Sequence, residues 1–293
     1  MVEKKILLTS LILAFLGFCF TACNQEEEVK DLRKKGNSTE NPFEYVGVEH
    51  NNLLDVFANQ LRDSIHFSDW DIYRFDVAND DLNSSEYTFA NFSADMSTID
   101  AVVPDFLYSD PVVYRRFSNS EIVYSYMLRL REILIGAINS EYPLTPNEFT
   151  QSVCGIEDEV IGLYSNTTDV NVVRDYACVL GALAIAKYSY LYWYSATFDK
   201  NHLWYKIVNN RINTKSVKGL CRWLRAVVEA AITDVSGFVQ EAVESATPTT
   251  IIGPDGVAVP AITIDAGKAV KQGARASKHV YKDRMDDDTV LEQ

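Results

Sequence analysis

The stretch from Tyr176 to Ala196, YACVLGALAIAKYSYLYWYSA, is the most apolar part of the chain beyond residue 22. About 20 apolar residues are enough to span a bilayer as a helix. Lys187 stands at the centre of the stretch, and a central lysine costs roughly 2.5–3.5 kcal/mol on insertion scales. We therefore expect a helix that is buried on all sides within a helical domain, with a membrane span as the alternative.

Two details of this stretch predict how its surroundings are arranged. Ala177, Gly181 and Ala184 recur at spacings of three and four, so they form a thin stripe where a neighbouring helix can approach closely. The tyrosine-rich end is expected to reach solvent with its phenol groups pointing outward.

The composition of the whole chain limits its size class and its partners. A chain of 293 residues with 47% hydrophobic content can bury a sizeable core in one large domain. The net charge of −14 excludes nucleic acid as a partner, because binding to phosphates needs a basic face. The sequence contains no phosphate loop, nucleophile elbow, HExxH motif or metal-type Cys/His spacing, so it predicts no cofactor, no metal and no catalytic residue.

The N-terminal sequence predicts a secretory leader. Lys4 and Lys5 precede an apolar run from Ile6 to Phe20, and Thr21, Ala22 and Cys23 follow directly. A cysteine placed immediately after these small residues resembles the lipobox of bacterial lipoproteins. The resemblance implies that residues 1–22 are removed and that Cys23 carries lipid on its thiol and amine. An ordinary signal peptide that happens to contain a cysteine is the alternative.

Two further segments resemble lipoproteins of Bacteroidetes. The acidic run Asn24-Gln25-Glu26-Glu27-Glu28 resembles their surface-export signal, and NPFEYVGVEHN at 41–51 resembles the start of the mature domain in an uncharacterised surface lipoprotein family. The resemblance implies an outer-membrane, lipid-anchored and surface-exposed location. It also implies the membrane, through the lipid anchor, and the lipoprotein export machinery as partners. The family has no known biochemical activity that this resemblance could imply.

The remaining chain divides into a tether, a domain and a tail. Residues 23–40 are charged and nearly free of apolar side chains, so we expect a disordered tether. The domain is expected to cover 41–284, and the acidic end 285–293 is expected to be disordered. Asn41 is a suitable N-cap for the first helix, with Pro42 at its first position. Its predicted buried face comprises Val46, His50, Leu53, Leu54, Phe57, Leu61 and Ile65.

Cap signals place the other helices. Ser118 with Glu121, and Thr145 with Glu148, form capping boxes, and Asn166 to Asp169 separates the second of these helices from the central one. Further helices are predicted at 216–244 and, more weakly, at 265–284. The aromatic and acidic segment 67–117 is expected to be irregular. The sequence from Thr249 to Val259 predicts a β-hairpin whose turn is formed by Gly253-Pro254-Asp255-Gly256.

The predicted fold class is therefore mainly α. We expect a single helical domain of five or six helices, antiparallel and bundle-like because its connections are short, with a small C-terminal β-hairpin.

Candidate binding residues come from one histidine and one basic segment. His50 lies on the apolar face of the first helix, where it serves either as a ligand or base, or as a core histidine bonded to a carbonyl. The segment from Lys200 to Arg225 mixes bases with aromatics, which suits an anionic ligand, or else it complements the acidic segment 69–110. Its binding candidates are Lys206, Arg211, Lys215 and Arg222.

Cys154 and Cys178 form a possible disulfide between consecutive helices, with buried thiols as the alternative.

The functional hypothesis is a surface-tethered binding or interaction module, and the sequence leaves open whether the protein is an enzyme. One alternative is a surface hydrolase, whose candidate residues are His50, Asp55, Glu229 and Asp234. The other is a membrane-active or competition protein, suggested by the small-residue helices at 226–246 and 265–277.

Overall fold

The computed structural model describes residues 40–61, 68–79, 85, 87–97, 120–139, 144–208, 217–252, 258–264 and 266–290. Within these residues the chain is mainly helical, which confirms the predicted class. The helices are α1 (Glu44–Leu61), α2 (Asp69–Asn79), α3 (89–97), α4 (Glu121–Asn139), α5 (Pro146–Asn166), α6 (Val170–Phe198), α7 (Leu203–Val208), α8 (Val217–Ser245) and α9 (Ala266–Val290).

The six long helices were predicted, whereas α2, α3 and α7 were not. The first two lie in the segment 67–117, so the expectation of an irregular segment is wrong there. In α2 the buried residues are Ile72, Tyr73, Phe75 and Asp76, so an acid shares the buried face while the apolar Trp70 is half exposed. The apolar residues alone therefore do not mark an amphipathic helix. At the other end of the chain, α9 continues to Val290, into the acidic tail that was expected to be disordered.

The observed helix starts follow the cap signals with one correction. Thr145 and Glu148 form the predicted reciprocal capping box of α5, and the Asp169 carboxylate accepts from backbone amides of the first turn of α6. At α4 the cap is Ser120, whose hydroxyl oxygen accepts from the amide of Val123 at 3.3 Å, whereas the predicted cap Ser118 lies outside the described residues.

Helix α6 lies at the centre of the described fold, in contact with α1, α4, α5, α7 and α8. Every residue from 177 to 193 is buried, as predicted for a helix enclosed by others. Among the described helices, none combines the length and the apolar character that a bilayer crossing requires.

The expectation that the tyrosines of α6 point to solvent is wrong for Tyr188, Tyr190 and Tyr192, which are all buried. The Tyr190 hydroxyl donates to the carbonyl of Leu144 at 2.7 Å, and the Tyr192 hydroxyl donates to Asp55 at 2.8 Å. For Tyr190 and Tyr192, internal acceptors therefore replace the water that was expected to bond the phenol groups.

The small-residue stripe of α6 receives a neighbouring helix, as predicted. A Cβ atom on Gly181 would lie 2.5 Å from the ring of Phe238 in α8, so the absence of a side chain makes room for that ring. Phe238 is fully buried there.

Two strands follow α8. β1 (Thr247–Ile252) pairs antiparallel with β2 (Ala258–Thr263), and Thr247 stands opposite Thr263 in the register. The predicted turn Gly253-Pro254-Asp255-Gly256 lies outside the described residues, so its chemistry stays a prediction.

Candidate functional site

The most concentrated polar group in the described core surrounds Asp234. Its carboxylate lies between three helices: Oδ1 is 2.8 Å from Nε2 of His50 in α1, while Oδ2 accepts from the Ser189 hydroxyl at 2.5 Å and from Nε1 of Trp193 at 3.2 Å, both in α6. All four side chains have zero solvent exposure. We call His50, Ser189, Trp193 and Asp234 the Asp234 cluster.

The surroundings of His50 favour its charged form. Its second ring nitrogen, Nδ1, lies 3.0 Å from Oδ1 of Asn51, whose amide nitrogen donates to the carbonyl of Tyr188. Both ring nitrogens thus face oxygen acceptors, which an imidazolium satisfies and a neutral ring does not. Burial lowers the pKa of His50, but the charge of Asp234 and the hydrogen bonds to Asp234 and Asn51 outweigh it, so the pKa is raised.

This arrangement differs from a hydrolytic site in two ways. A general base needs a free imidazole nitrogen facing the substrate, whereas both nitrogens of His50 are directed at internal oxygens. A nucleophilic serine needs its hydroxyl on the imidazole, whereas Ser189 donates to the carboxylate. The cluster can therefore hold α1, α6 and α8 together through one buried ion pair and its hydrogen bonds.

The other two hydrolase candidates are bonded elsewhere. Asp55 accepts from Tyr192, whose hydroxyl oxygen in turn accepts from Nε1 of Trp204 at 2.9 Å. Glu229 accepts from Nε of Arg225, one turn earlier in α8, at 3.1 Å. Of the four candidates, the structure brings His50 and Asp234 into contact and gives Asp55 and Glu229 partners of their own.

A second buried polar group surrounds Lys187. Its ammonium nitrogen lies 2.9 Å from Oε1 of Glu44 in α1 and 2.7 Å from Oε2 of Glu157 in α5. Asn41 donates to the other oxygen of Glu157 at 2.6 Å and to the carbonyl of Leu180 at 2.9 Å. We call Asn41, Glu44, Glu157 and Lys187 the Lys187 cluster. It ties the first turn of the domain, directly after the predicted tether, to the central helix.

A patch of aromatic side chains reaches the surface on α2 and α3. Trp70 is 48% exposed, and its ring lies 5.1 Å from Tyr73 and 4.9 Å from Phe89. The Tyr73 hydroxyl is fixed by the carbonyl of Tyr87 at 2.9 Å. We call Trp70, Tyr73, Tyr87 and Phe89 the Trp70 patch. A half-exposed tryptophan held by packed rings offers a large contact area at a small entropic cost on binding.

The four binding candidates of the basic segment 200–225 lie outside what the structure describes. This holds for Arg211 and Lys215 entirely, and for the side chains of Lys206 and Arg222. Within the acidic segment 69–110, Asp76 is bonded to α9: it accepts from Arg275 at 2.9 Å and from Lys278 at 2.8 Å. The basic partners that the structure describes for Asp76 thus belong to the C-terminal helix α9.

The predicted disulfide between Cys154 and Cys178 is not formed in the structure, where both residues are thiols. Burial, with a smaller effect of the Asp175 charge, raises the pKa of Cys178 to about 12. Cys178 therefore behaves as a small buried hydrophobic side chain, the alternative stated above.

The small-residue helices α8 and α9 pack on each other. A Cβ atom on Gly237 would lie 3.0 Å from the backbone of Gly273, and one on Gly273 would lie 2.7 Å from the carbonyl oxygen of Asp234. Ala230, Ala231, Ala269 and Ala274 are fully buried. The small side chains thus make room for the partner helix, and their pattern needs no membrane to explain it.

Sequence reasoning singled out His50 and Asp234 but missed Ser189, Trp193, Glu44 and Glu157. One signal was available for Glu157: it lies four residues from both Val153 and Ile161, on the buried line of α5, where an acid needs a cationic partner.

Among the described residues, no group of three or more His, Cys, Asp or Glu side chains is placed to hold a metal ion. Comparisons of the chain with protein-family models, curated proteins and solved structures returned no match.

Proposed function

We propose that the protein is a lipid-anchored outer-membrane protein, exposed at the cell surface, that acts as a binding or interaction module. The leader with its FTAC sequence, the acidic run after Cys23 and the resemblance of residues 41–51 support the location. We further propose that the presented domain is one antiparallel bundle over 41–284, with a small C-terminal hairpin.

The observation that carries the binding role is the contrast between the Asp234 cluster and the Trp70 patch. The chemically competent side chains His50, Ser189 and Asp234 are fully enclosed and bonded to one another. The largest aromatic side chain at the described surface, Trp70, is instead half exposed and packed against the rings of Tyr73 and Phe89. A surface hydrolase would have to open the core to use the cluster, whereas a binding module uses the patch as it stands.

The anchoring part is tested by replacing Cys23 with alanine. We expect Cys23→Ala to abolish labelling by radioactive palmitate and to release the chain from outer-membrane fractions. Cys19→Ala is the matched control, because Cys19 lies in the leader four residues earlier, and it should keep both properties. A Cys23→Ala chain that stayed in carbonate-washed membranes would contradict the lipid anchor.

The contact surface is tested on intact cells with a photoreactive phenylalanine analogue. It is placed at position 70 or, as a control, at Tyr45, which is 47% exposed and outside the Trp70 patch. We expect a discrete crosslinked species from position 70 and none from position 45. Equal crosslinking from both positions, or none from either, would contradict the Trp70 patch as the contact surface.

A further inference from the structure

Lys187 is the only charged residue between Tyr176 and Phe198 in the sequence, and it lies inside the most enclosed part of the fold. Its neighbours Ala186 and Tyr188 have no exposed surface. A single charge at this point is unexpected, since every other position from 177 to 193 carries an apolar, small or hydroxyl-bearing side chain.

The folded structure accommodates this charge with three further buried polar side chains. Glu44 and Glu157 both contact the ammonium group, and Asn41 bonds the second oxygen of Glu157. Replacing such a buried ionic group by packed apolar side chains is often neutral or stabilising, so stability of the fold does not by itself account for Lys187.

The charge has a different effect before the chain folds. Glu44 is 143 residues and Glu157 is 30 residues away in sequence, so neither is held against Lys187 by local structure. The segment then presents about 20 mostly apolar residues with one unpaired cation at the centre. On insertion scales, a central lysine in place of leucine shifts the equilibrium between insertion and passage by on the order of a hundred-fold.

We propose that Lys187 prevents α6 from entering the membrane while the chain is being secreted, and that the Lys187 cluster neutralises the charge after folding. This inference rests on the secretion that the proposed function includes. The unfolded α6 segment thus contacts the lipid bilayer during secretion, and the charge of Lys187 disfavours its insertion. The central helix can then be apolar enough to organise the core without stopping the chain in the membrane.

The test uses the full chain with an alkaline phosphatase, active only outside the cytoplasm, fused after Gln293. Lys187→Leu is compared with wild type, with Lys187→Arg, which keeps the charge, and with Ser189→Leu, which adds leucine two positions later on the same buried helix. We expect Lys187→Leu to lower phosphatase activity per chain at least ten-fold, because the chain stops at α6. Lys187→Arg and Ser189→Leu should retain activity.

Two further sets of fusions distinguish a failure of the Lys187 proposal from a failure of the proposed secretion. The triple variant Lys187→Leu/Glu44→Gln/Glu157→Gln also removes the negative charges of the two acids that contact Lys187, so a drop in activity there reflects membrane insertion and not buried charge. All chains are also placed behind the leader of an established secreted protein. If the wild-type fusion were active behind the foreign leader but inactive behind its own leader, the proposed secretion would be overturned. Equal activity of Lys187→Leu and wild type behind the foreign leader would overturn the role of Lys187.

Discussion

Nε2 of His50 lies 2.8 Å from Oδ1 of Asp234, and neither side chain has any exposed surface. An ion pair so enclosed links the first helix of the domain to α8, nearly two hundred residues later in the chain. Lys278 of α9 opposes the charge on His50, but the pKa of His50 is nevertheless raised by Asp234 and Asn51.

The raised pKa predicts how stability depends on pH. The folded protein holds the His50 proton more tightly than the unfolded chain, so the contribution of His50 is fully present below the unfolded pKa of about 6.5. It is lost as the pH rises through the folded value. We expect His50→Gln to cost about 3–5 kcal/mol at about pH 6 and less at alkaline pH. Urea unfolding of both proteins across this range measures the difference, and a gap that widened with pH would contradict the charged pair.

The surroundings of His202 predict that its contribution to stability depends on pH in the opposite direction. Its ring packs edge-on to Tyr192 at 4.8 Å, and its Nδ1 accepts from the backbone amide of Trp204. Burial lowers the pKa of His202 to about 4, against a smaller opposing effect of Asp199. Between about pH 6.5 and about pH 4 the unfolded chain binds this proton and the folded protein does not, so stability falls with acidification by up to about 3 kcal/mol.

The same substitution at the two histidines provides matched controls. His202→Gln should make the protein less sensitive to acid in urea unfolding between about pH 4 and about pH 6.5, whereas His50→Gln should not. An unchanged acid sensitivity of His202→Gln would show that His202 is not held neutral in the folded protein.

The Lys187 cluster predicts a large difference between two glutamates of α5. Glu157→Gln leaves Lys187 with Glu44 alone and places an amide group against two donors, Lys187 and Asn41. We expect a loss of about 3–5 kcal/mol, as for other broken buried pairs. Glu159→Gln is the control, because its bridge to Arg129 is nearly half exposed and is worth about 0–1 kcal/mol. Urea unfolding at neutral pH compares them, and similar losses would mean that the cluster is not a stabilising unit.

Helices that carry a long repeating pattern were predictable from sequence. The cap at Thr145 and Asp169 and the apolar length of α6 each follow from local residues. The short helices α2 and α7 were not predictable, because six to eleven residues carry too few turns to display a period, and the aromatics of α2 lie on several faces.

The candidate site was predictable only in part, because its contacts depend on how helices cross. His50 and Asp234 each stood out as polar residues on apolar helices, but the pattern gives no reason for them to meet. Ser189 and Trp193 look like ordinary members of a buried helix until Asp234 is placed beside them. Likewise, the burial of Tyr188 and Tyr192 follows from α1 lying against α6, which no local signal specifies.

The crossing of α8 and α9 predicts the effect of adding one methyl group. In Gly273→Ala the new Cβ would lie 2.7 Å from the carbonyl oxygen of Asp234, which is backbone and cannot rotate away. The helices must separate, and we expect a loss of about 1–3 kcal/mol, as for other overpacked sites. Gly162→Ala is the control: Gly162 is an exposed position within α5 where an added Cβ meets nothing within 4 Å. That change should stabilise the protein by about 0.5–1 kcal/mol, because alanine is the better helix former. Thermal unfolding of both variants decides the matter, and a neutral or stabilising Gly273→Ala would mean that α8 and α9 do not approach as closely as described.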